Sequence, residues 1–166
     1  MLFLKQNQNL IVDTKHFSEE FKNKLLAEFD DLDKETGGLM INSENFQALN
    51  LLQKRFSGKI NCTYIDPPYN ASSSEILYKN TFKHSSWMSL MNDRLRLGKK
   101  MLKNDYVLFC AIDEVEQERL GFIFSNIYSD SIKACLSIVH NPRGQMGKNV
   151  SYTHEFAYII YPSDEK

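Results

Sequence analysis

The residues whose types and spacing most plainly suggest chemistry are Asp66-Pro67-Pro68-Tyr69, which follow a strand-like run, Ile60-Asn61-Cys62-Thr63-Tyr64-Ile65. Each proline fixes its own φ and lacks a backbone donor. The residue before a proline is pushed toward extended geometry, so Asp66 and Pro67 are both held out of helix. The carbonyls can still accept hydrogen bonds, the carboxylate is aimed, and Tyr69 offers a flat ring. That set suits methylation of an exocyclic amine on a nucleobase. Such an amine is a poor nucleophile, because its lone pair is delocalised into the ring. The Asp66 carboxylate and the Pro67 carbonyl can each accept one of its N–H groups and favour a more tetrahedral nitrogen, while Tyr69 stacks on the base. A base inside a duplex is out of reach, so it must be flipped out first. The competing reading is a stiff turn after a strand, with Asp66 a surface carboxylate.

Elements that could hold this loop are visible on either side. Asn9-Leu10-Ile11-Val12 suggests a short strand or arm, and Asp13 or Thr14 can cap a helix running to about Phe29. Leu39-Met40-Ile41-Asn42 is strand-like. Phe46 to Phe56 reads as a helix with Phe46, Leu49, Leu52 and Phe56 on one face. Ser86 to Lys103 reads as another, with Met88, Met91, Leu95 and Leu102 aligned. Tyr106 to Ile112 is a continuous apolar run, the mark of a strand covered on both faces. Asp113 then caps a further helix, with Glu116 as the other half of a capping box. Ala134 to His140 and Glu155 to Tyr161 close the chain as a strand pair, joined by a Gly-containing polar loop. Alternating strands and helices give an α/β sheet, whose ligands bind beyond the carboxyl ends of its strands. Ser43-Glu44-Asn45, Asp66 and Asp113 all follow strand-like runs and should share that edge.

Composition narrows the function classes. At 166 residues the chain suits one domain; hydrophobic residues make up 42%, charged residues 25%, and the net charge is −1. There is no global basic signal for nucleic acid, so any DNA contact must be local. Arg143 and Lys148, beside Gly144 and Gly147, are the better phosphate candidates. The basic run Arg94, Arg96, Lys99, Lys100 and Lys103 reads first as a solvated helix face. Cys62, Cys110 and Cys135 have no disulfide or zinc spacing and read as buried thiols. No metal motif, signal peptide or membrane span is visible, which points to a cytoplasmic protein.

Beyond the loop itself, several segments occur in a familiar order: Asn9 to Phe17, Ser43 to Leu52, Tyr64 to Asn70, His84-Ser85-Ser86-Trp87 with Arg94-Leu95, Ile112 to Glu116, and Thr153-His154-Glu155. On these the chain resembles the modification subunit of type III restriction–modification systems, a DNA adenine N6-methyltransferase. The resemblance implies a Rossmann-like methyltransferase sheet with helices on both faces, ending in an antiparallel strand pair. It implies S-adenosylmethionine as methyl donor, without a metal, and an adenine in double-stranded DNA as target. A restriction subunit with helicase and nuclease activity would be the partner, and the full-length subunit could pair as a homodimer. Carried onto this sequence, the catalytic residues would be Asp66, Pro67, Pro68 and Tyr69. The donor would meet Asp66, Ser86 and Trp87, although Trp87 reads equally as core. The DNA would meet Tyr69, Asn70, Arg143 and Lys148.

Two departures qualify the resemblance. Asn104-Asp105-Tyr106 stands where the family carries an Asp-Gly turn. No F-x-G-x-G donor loop occurs in these 166 residues. The expected organisation is an N-terminal arm and helix over 1–36 and the catalytic half of a methyltransferase domain over 37–166, with the glycine-loop half absent. Such a chain alone should be inactive. The alternatives are a non-catalytic fragment that binds DNA or a partner subunit, and an N4-cytosine or RNA amino-methyltransferase.

Overall fold

Leu108, Cys110 and Ile112 alternate with Val107, Phe109 and Ala111 along one strand, so both faces of that strand are apolar. It becomes one of the two inner strands of the sheet that carries the candidate loop. The protein is described by a computed structural model over residues 5–7, 9–70, 82–140, 142, 144 and 153–163. Two compact units divide it, Met1–Asn42 and Ser43–Lys166.

In the second unit, helix α3 (Asn45–Phe56) leads through a turn to β1 (Ile60–Ile65). Gly58 makes that turn at φ 63°, a backbone region that favours glycine, and its N–H donates to the Lys100 carbonyl at 3.1 Å. Helix α4 (His84–Lys99), strand β2 (Leu102–Ile112), helix α5 (Gln117–Ile127) and strands β3 (Ser131–Val139) and β4 (His154–Pro162) follow. The strand order is β1-β2-β4-β3, with β1 parallel to β2 and both β4 contacts antiparallel. The expected alternating section and closing antiparallel pair are therefore present.

The core lies on one face of the sheet. Tyr106, Leu108, Cys110 and Ile112 of β2 and Tyr158 and Ile160 of β4 pack with Trp87, Met91 and Leu95 of α4 and with Leu120, Ile123, Phe124 and Ile127 of α5. Each such side chain contributes roughly 1.5–3 kcal/mol by leaving water. Gly121 of α5 permits close approach here. A Cβ at that position would lie 2.5 Å from the Tyr158 hydroxyl oxygen, which accepts from Gln117 Nε2 at 2.8 Å and donates to the Gln117 carbonyl at 3.0 Å.

Several expectations are corrected. Helices α4 and α5 pack on the core face of the sheet. The opposite face presents Tyr64, Ile132, Leu136 and Ile138, all exposed. Lys100 and Met101 turn the chain after α4, and Leu102 already pairs with Ile60, so the residues expected at the end of a helix begin β2 instead. Asn104 and Asp105 lie inside β2, where the register slips between Ile60/Leu102 and Cys62/Val107, and Asn61 Nδ2 donates to Asp105 Oδ1 at 3.2 Å. The extra residues are absorbed as a bulge rather than a turn. Cys110 is buried, whereas Cys62 and Cys135 are exposed because their strands lie at the two sheet edges.

In the first unit, a 3₁₀ turn at Thr14–His16 precedes α1 (Glu19–Ala27), and α2 spans Leu32–Glu35. One long helix from Asp13 is not formed. Phe17 is extended, and the Ser18 hydroxyl restarts the chain by accepting from Phe21 N at 3.2 Å. Asn9–Val12 and Leu39–Asn42 form no strand. A short apolar run needs a hydrogen-bonding neighbour to become one, and neither run has one among the described residues.

Candidate active site

Because β1 and β2 run parallel, their carboxyl ends bring Asp66 and Asp113 to the same edge of the sheet. Asp66 is exposed, Pro67 buried, and Pro68 and Tyr69 half-buried. The loop is held from below by α4. Trp87, fully buried in the first turn of that helix, donates its indole N–H to the Pro68 carbonyl at 2.7 Å. Trp87 is thus core and loop support at once.

Asn70 ends the loop at φ 62°, a left-handed conformation that asparagine tolerates. Its Oδ1 accepts from Phe82 N at 2.7 Å, and its Nδ2 donates to the Phe82 carbonyl at 3.0 Å and to Glu116 Oε1 at 2.6 Å. Asn70 was expected to face DNA. It is buried instead, with both ends of its amide engaged. Glu116 is completely buried, and its Oε1 also meets His84 Nδ1 at 2.7 Å, while Oε2 lies 3.4 Å from Arg119. The capping box expected at Asp113 and Glu116 is accordingly not made. Asp113 Oδ1 accepts from Val115 N at 3.0 Å, and α5 starts without a side-chain cap because the Glu116 carboxylate turns inward.

The Tyr69 hydroxyl donates to Glu155 Oε2 of β4 at 3.5 Å. Burial first, then the neighbouring Asp66 and Glu155 carboxylates, hold its phenol well above the ordinary range, so the ring stays neutral. Burial likewise raises Asp113 from 3.8 to about 6, with Glu114, Glu155 and Glu116 adding repulsion and the Val115 N–H opposing it.

Beside Asp66 opens a cavity of about 590 Å³. Thr63 to Pro68 form one wall, α4 supplies Leu90, Met91 and Arg94, and Glu44, Asn45 and Phe82 complete the rim. Glu44 caps α3 by accepting from Gln47 N at 3.2 Å and pairs with Arg94, so part of the basic run is committed to structure. The size lies in the range of sites for small organic ligands. Mostly apolar walls with a carboxylate at the rim suit a nucleoside that carries positive charge. Ser86 is exposed in the first turn of α4 and, like Trp87, does not line this cavity. Arg143 and Lys148 lie outside the described residues. Glu44 and Asn45 line the same cavity as Asp66, Pro67 and Pro68, although no strand precedes them, and Asp113 lies at the end of the neighbouring strand β2. Missed from sequence were the tethers: His84 and Glu116 behind the loop, and Glu155 behind Tyr69. Their signal was three polar residues next to apolar runs, which spacing alone does not separate from caps and surface positions.

A D-P-P-Y loop at the carboxyl end of a parallel strand, in a sheet closed by an antiparallel pair, defines a class of α/β methyltransferase folds. The chain belongs to the DNA methylase family, whose sequence model matches residues 60–166. It is 39% identical over 90 residues to the HindVI Mod subunit of Haemophilus influenzae, covering 54% of this chain and 12% of that protein. To the type III restriction-modification enzyme EcoPI Mod subunit of Escherichia phage P1 it is 25% identical over 158 residues, 76% of this chain and 24% of that one. To the type II methyltransferase M.KpnI of Klebsiella pneumoniae it is 28% identical over 156 residues, 87% and 37% respectively. The chain therefore spans from 12% to 37% of the length of these relatives. Among solved structures, the M1.HpyAVI–SAM complex shares the fold at a TM-score of 0.50 and 10% identity, covering 76% of this chain and 55% of that one. The cytosine-N4-specific PvuII DNA methyltransferase does so at 0.50 and 10%, covering 70% and 47%.

Proposed function

We propose that residues 43–166 form the amine-orienting half of an S-adenosylmethionine-dependent DNA methyltransferase that acts on adenine N6. The observation that carries this is the loop itself: Asp66 is exposed at a strand end beside a ligand-sized cavity, on a backbone locked by Trp87. Since the Pro68 carbonyl is committed to the indole, the second acceptor role falls to Pro67. The Asp66 carboxylate and the Pro67 carbonyl each take one N–H of the amine, which localises the nitrogen lone pair. Charge-assisted acceptance by Asp66 is the stronger of the two, and Asp66 also offsets the positive charge that grows on nitrogen in the transition state. Tyr69, held neutral and tethered to Glu155, stacks on the flipped base. S-adenosylmethionine, when bound, supplies an electrophilic methyl on a sulfonium. Asp66, Pro67, Phe82 and Asn45 at the cavity rim are the residues that would hold it.

By likeness to the Mod subunits, the chain would act on duplex DNA within a type III restriction–modification system in the cytoplasm, beside a restriction subunit. Residues 1–36 would form an arm preceding the catalytic part. A second reading, cytosine N4 as target, is favoured by the equal fold likeness to the PvuII enzyme.

The test is titration of this chain with deoxyadenosine or deoxycytidine monophosphate labelled with ¹⁵N at the exocyclic amine. A saturable amine shift with the adenine nucleotide, lost in Asp66→Ala, is expected. A larger effect with cytosine would favour the second reading, and an amine shift that survives Asp66→Ala would refute the role of Asp66.

A further inference from the structure

Glu116 is the one completely buried carboxylate among the described residues, and no step of methyl transfer uses it. A carboxylate out of water is costly unless it is hydrogen-bonded and paired. Here its partners come from three directions. Asn70 Nδ2 at 2.6 Å brings the end of the D-P-P-Y loop, His84 Nδ1 at 2.7 Å brings the start of α4, and Arg119 at 3.4 Å lies one turn along α5. Asn70 is in turn clipped to both backbone groups of Phe82, which lines the cavity. Three residues beyond His84, Trp87 holds Pro68. The loop is thus gripped at two points, the Pro68 carbonyl and the Asn70 amide, and Glu116 links the elements that make both grips.

Resting on the function proposed above, we propose that Glu116 is a positioning residue: through Asn70 and His84 it sets the aim of Asp66 and Pro67 at the amine. The pairing is polar because geometry, not burial, is what the loop needs. A buried apolar contact would allow the loop to slide, whereas a carboxylate oxygen shared by two donors at 2.6 and 2.7 Å fixes both.

The sequence contains a single tryptophan, so Trp87 fluorescence reports on the latch in the whole chain without any substrate. Glu116→Ala removes the shared acceptor. Asn70→Gly removes the other arm while keeping a residue at ease with the φ of 62°, and it leaves the core untouched should Glu116→Ala fold poorly. In both variants the acrylamide quenching of Trp87 should rise about threefold as local opening becomes easier. The affinity for the ¹⁵N-labelled adenine nucleotide should fall about tenfold, and the double variant should lose less than the two single losses combined, as for groups that share a contact. Glu116→Gln retains an acceptor oxygen and should restore both readouts, whereas Glu116→Leu, which keeps apolar bulk without an acceptor, should not. Asp66→Ala should lose the amine shift with Trp87 still shielded. Unchanged quenching in both Glu116→Ala and Asn70→Gly overturns the latch. Quenching that rises as described, in a chain whose unsubstituted form shows no amine shift, leaves the latch standing and refutes the methyltransferase reading instead.

Discussion

Trp87→Phe separates the indole's hydrogen bond from its bulk. The side chain is fully buried and spends its only polar atom on the Pro68 carbonyl at 2.7 Å. Losing the bond removes about 1 kcal/mol, and the carbonyl left behind costs about 1 kcal/mol more. The second figure sits at the low end because Pro68 is half-buried and water can reach part of it. The smaller ring forfeits roughly 1 kcal/mol of apolar burial at about 25 cal/mol per Å². The sum is a destabilisation of about 3 kcal/mol, or a fall in Tm of roughly 6–12 °C for a chain of this size. Urea unfolding followed by circular dichroism measures it without needing the tryptophan signal. In the unsubstituted protein, the lone indole N–H should also exchange slowly with solvent. A loss below about 1 kcal/mol, or rapid exchange of that proton, would refute the grip of Trp87 on the loop.

Further outcomes follow from the same geometry. Asp113, raised from 3.8 to about 6 by burial, binds its proton more tightly folded than unfolded, so its contribution is full below about pH 4 and is lost as pH rises to about 6. Asp113→Asn keeps the acceptor for Val115 N and removes the buried charge. With partial solvent screening of this carboxyl allowed for, it should raise stability at pH 7 by about 1 kcal/mol and flatten the stability profile between about pH 4 and 6; a profile unchanged by the substitution would contradict this. The two helical glycines should respond with opposite signs. Gly98→Ala meets open space and should stabilise by about 0.5–1 kcal/mol. Gly121→Ala gains the same propensity but meets the Tyr158 hydroxyl at 2.5 Å, and overpacking of roughly 1–3 kcal/mol should make it net destabilising in thermal melts. Tyr69→Phe loses the hydroxyl's contacts to Glu155 and Asp66 but keeps the ring, and should keep nucleotide affinity within about threefold, whereas Tyr69→Ala should weaken it by roughly 1–3 kcal/mol through lost stacking.

The parts of the fold that were legible in the sequence are those fixed by long patterns. The apolar run Tyr106–Ile112 announced an inner strand, and Met91 and Leu95 announced the buried face of α4. The D-P-P-Y loop was legible because two prolines leave the backbone few choices. Short signals failed where two structures share one spacing. Asp113 and Glu116 stand three apart, as in a capping box, yet a buried tether places them the same way, and only the position of Asn70 and His84 in space distinguishes the two. Asn70 beside an aromatic reads as a surface contact until its φ of 62° turns its amide inward. Leu39–Asn42 has strand-like composition, but a strand is a pairing rather than a property of four residues. The exposure of Tyr64 and Leu136 on the other sheet face carries no sequence mark either, since both would look the same if buried.

Methyl transfer itself is the most direct measurement. The 90 residues matched in the HindVI Mod subunit of Haemophilus influenzae can be replaced by those of this chain. Tritium transfer from labelled S-adenosylmethionine to duplex DNA is then followed, with the label located by digestion. Label on adenine N6 that falls about a hundredfold or more with Asp66→Ala is the expected result, the scale for losing a group aimed at transition-state charge. Undiminished transfer by Asp66→Ala, from a chimera as stable as its parent, would contradict the assignment of the loop as the amine-orienting centre.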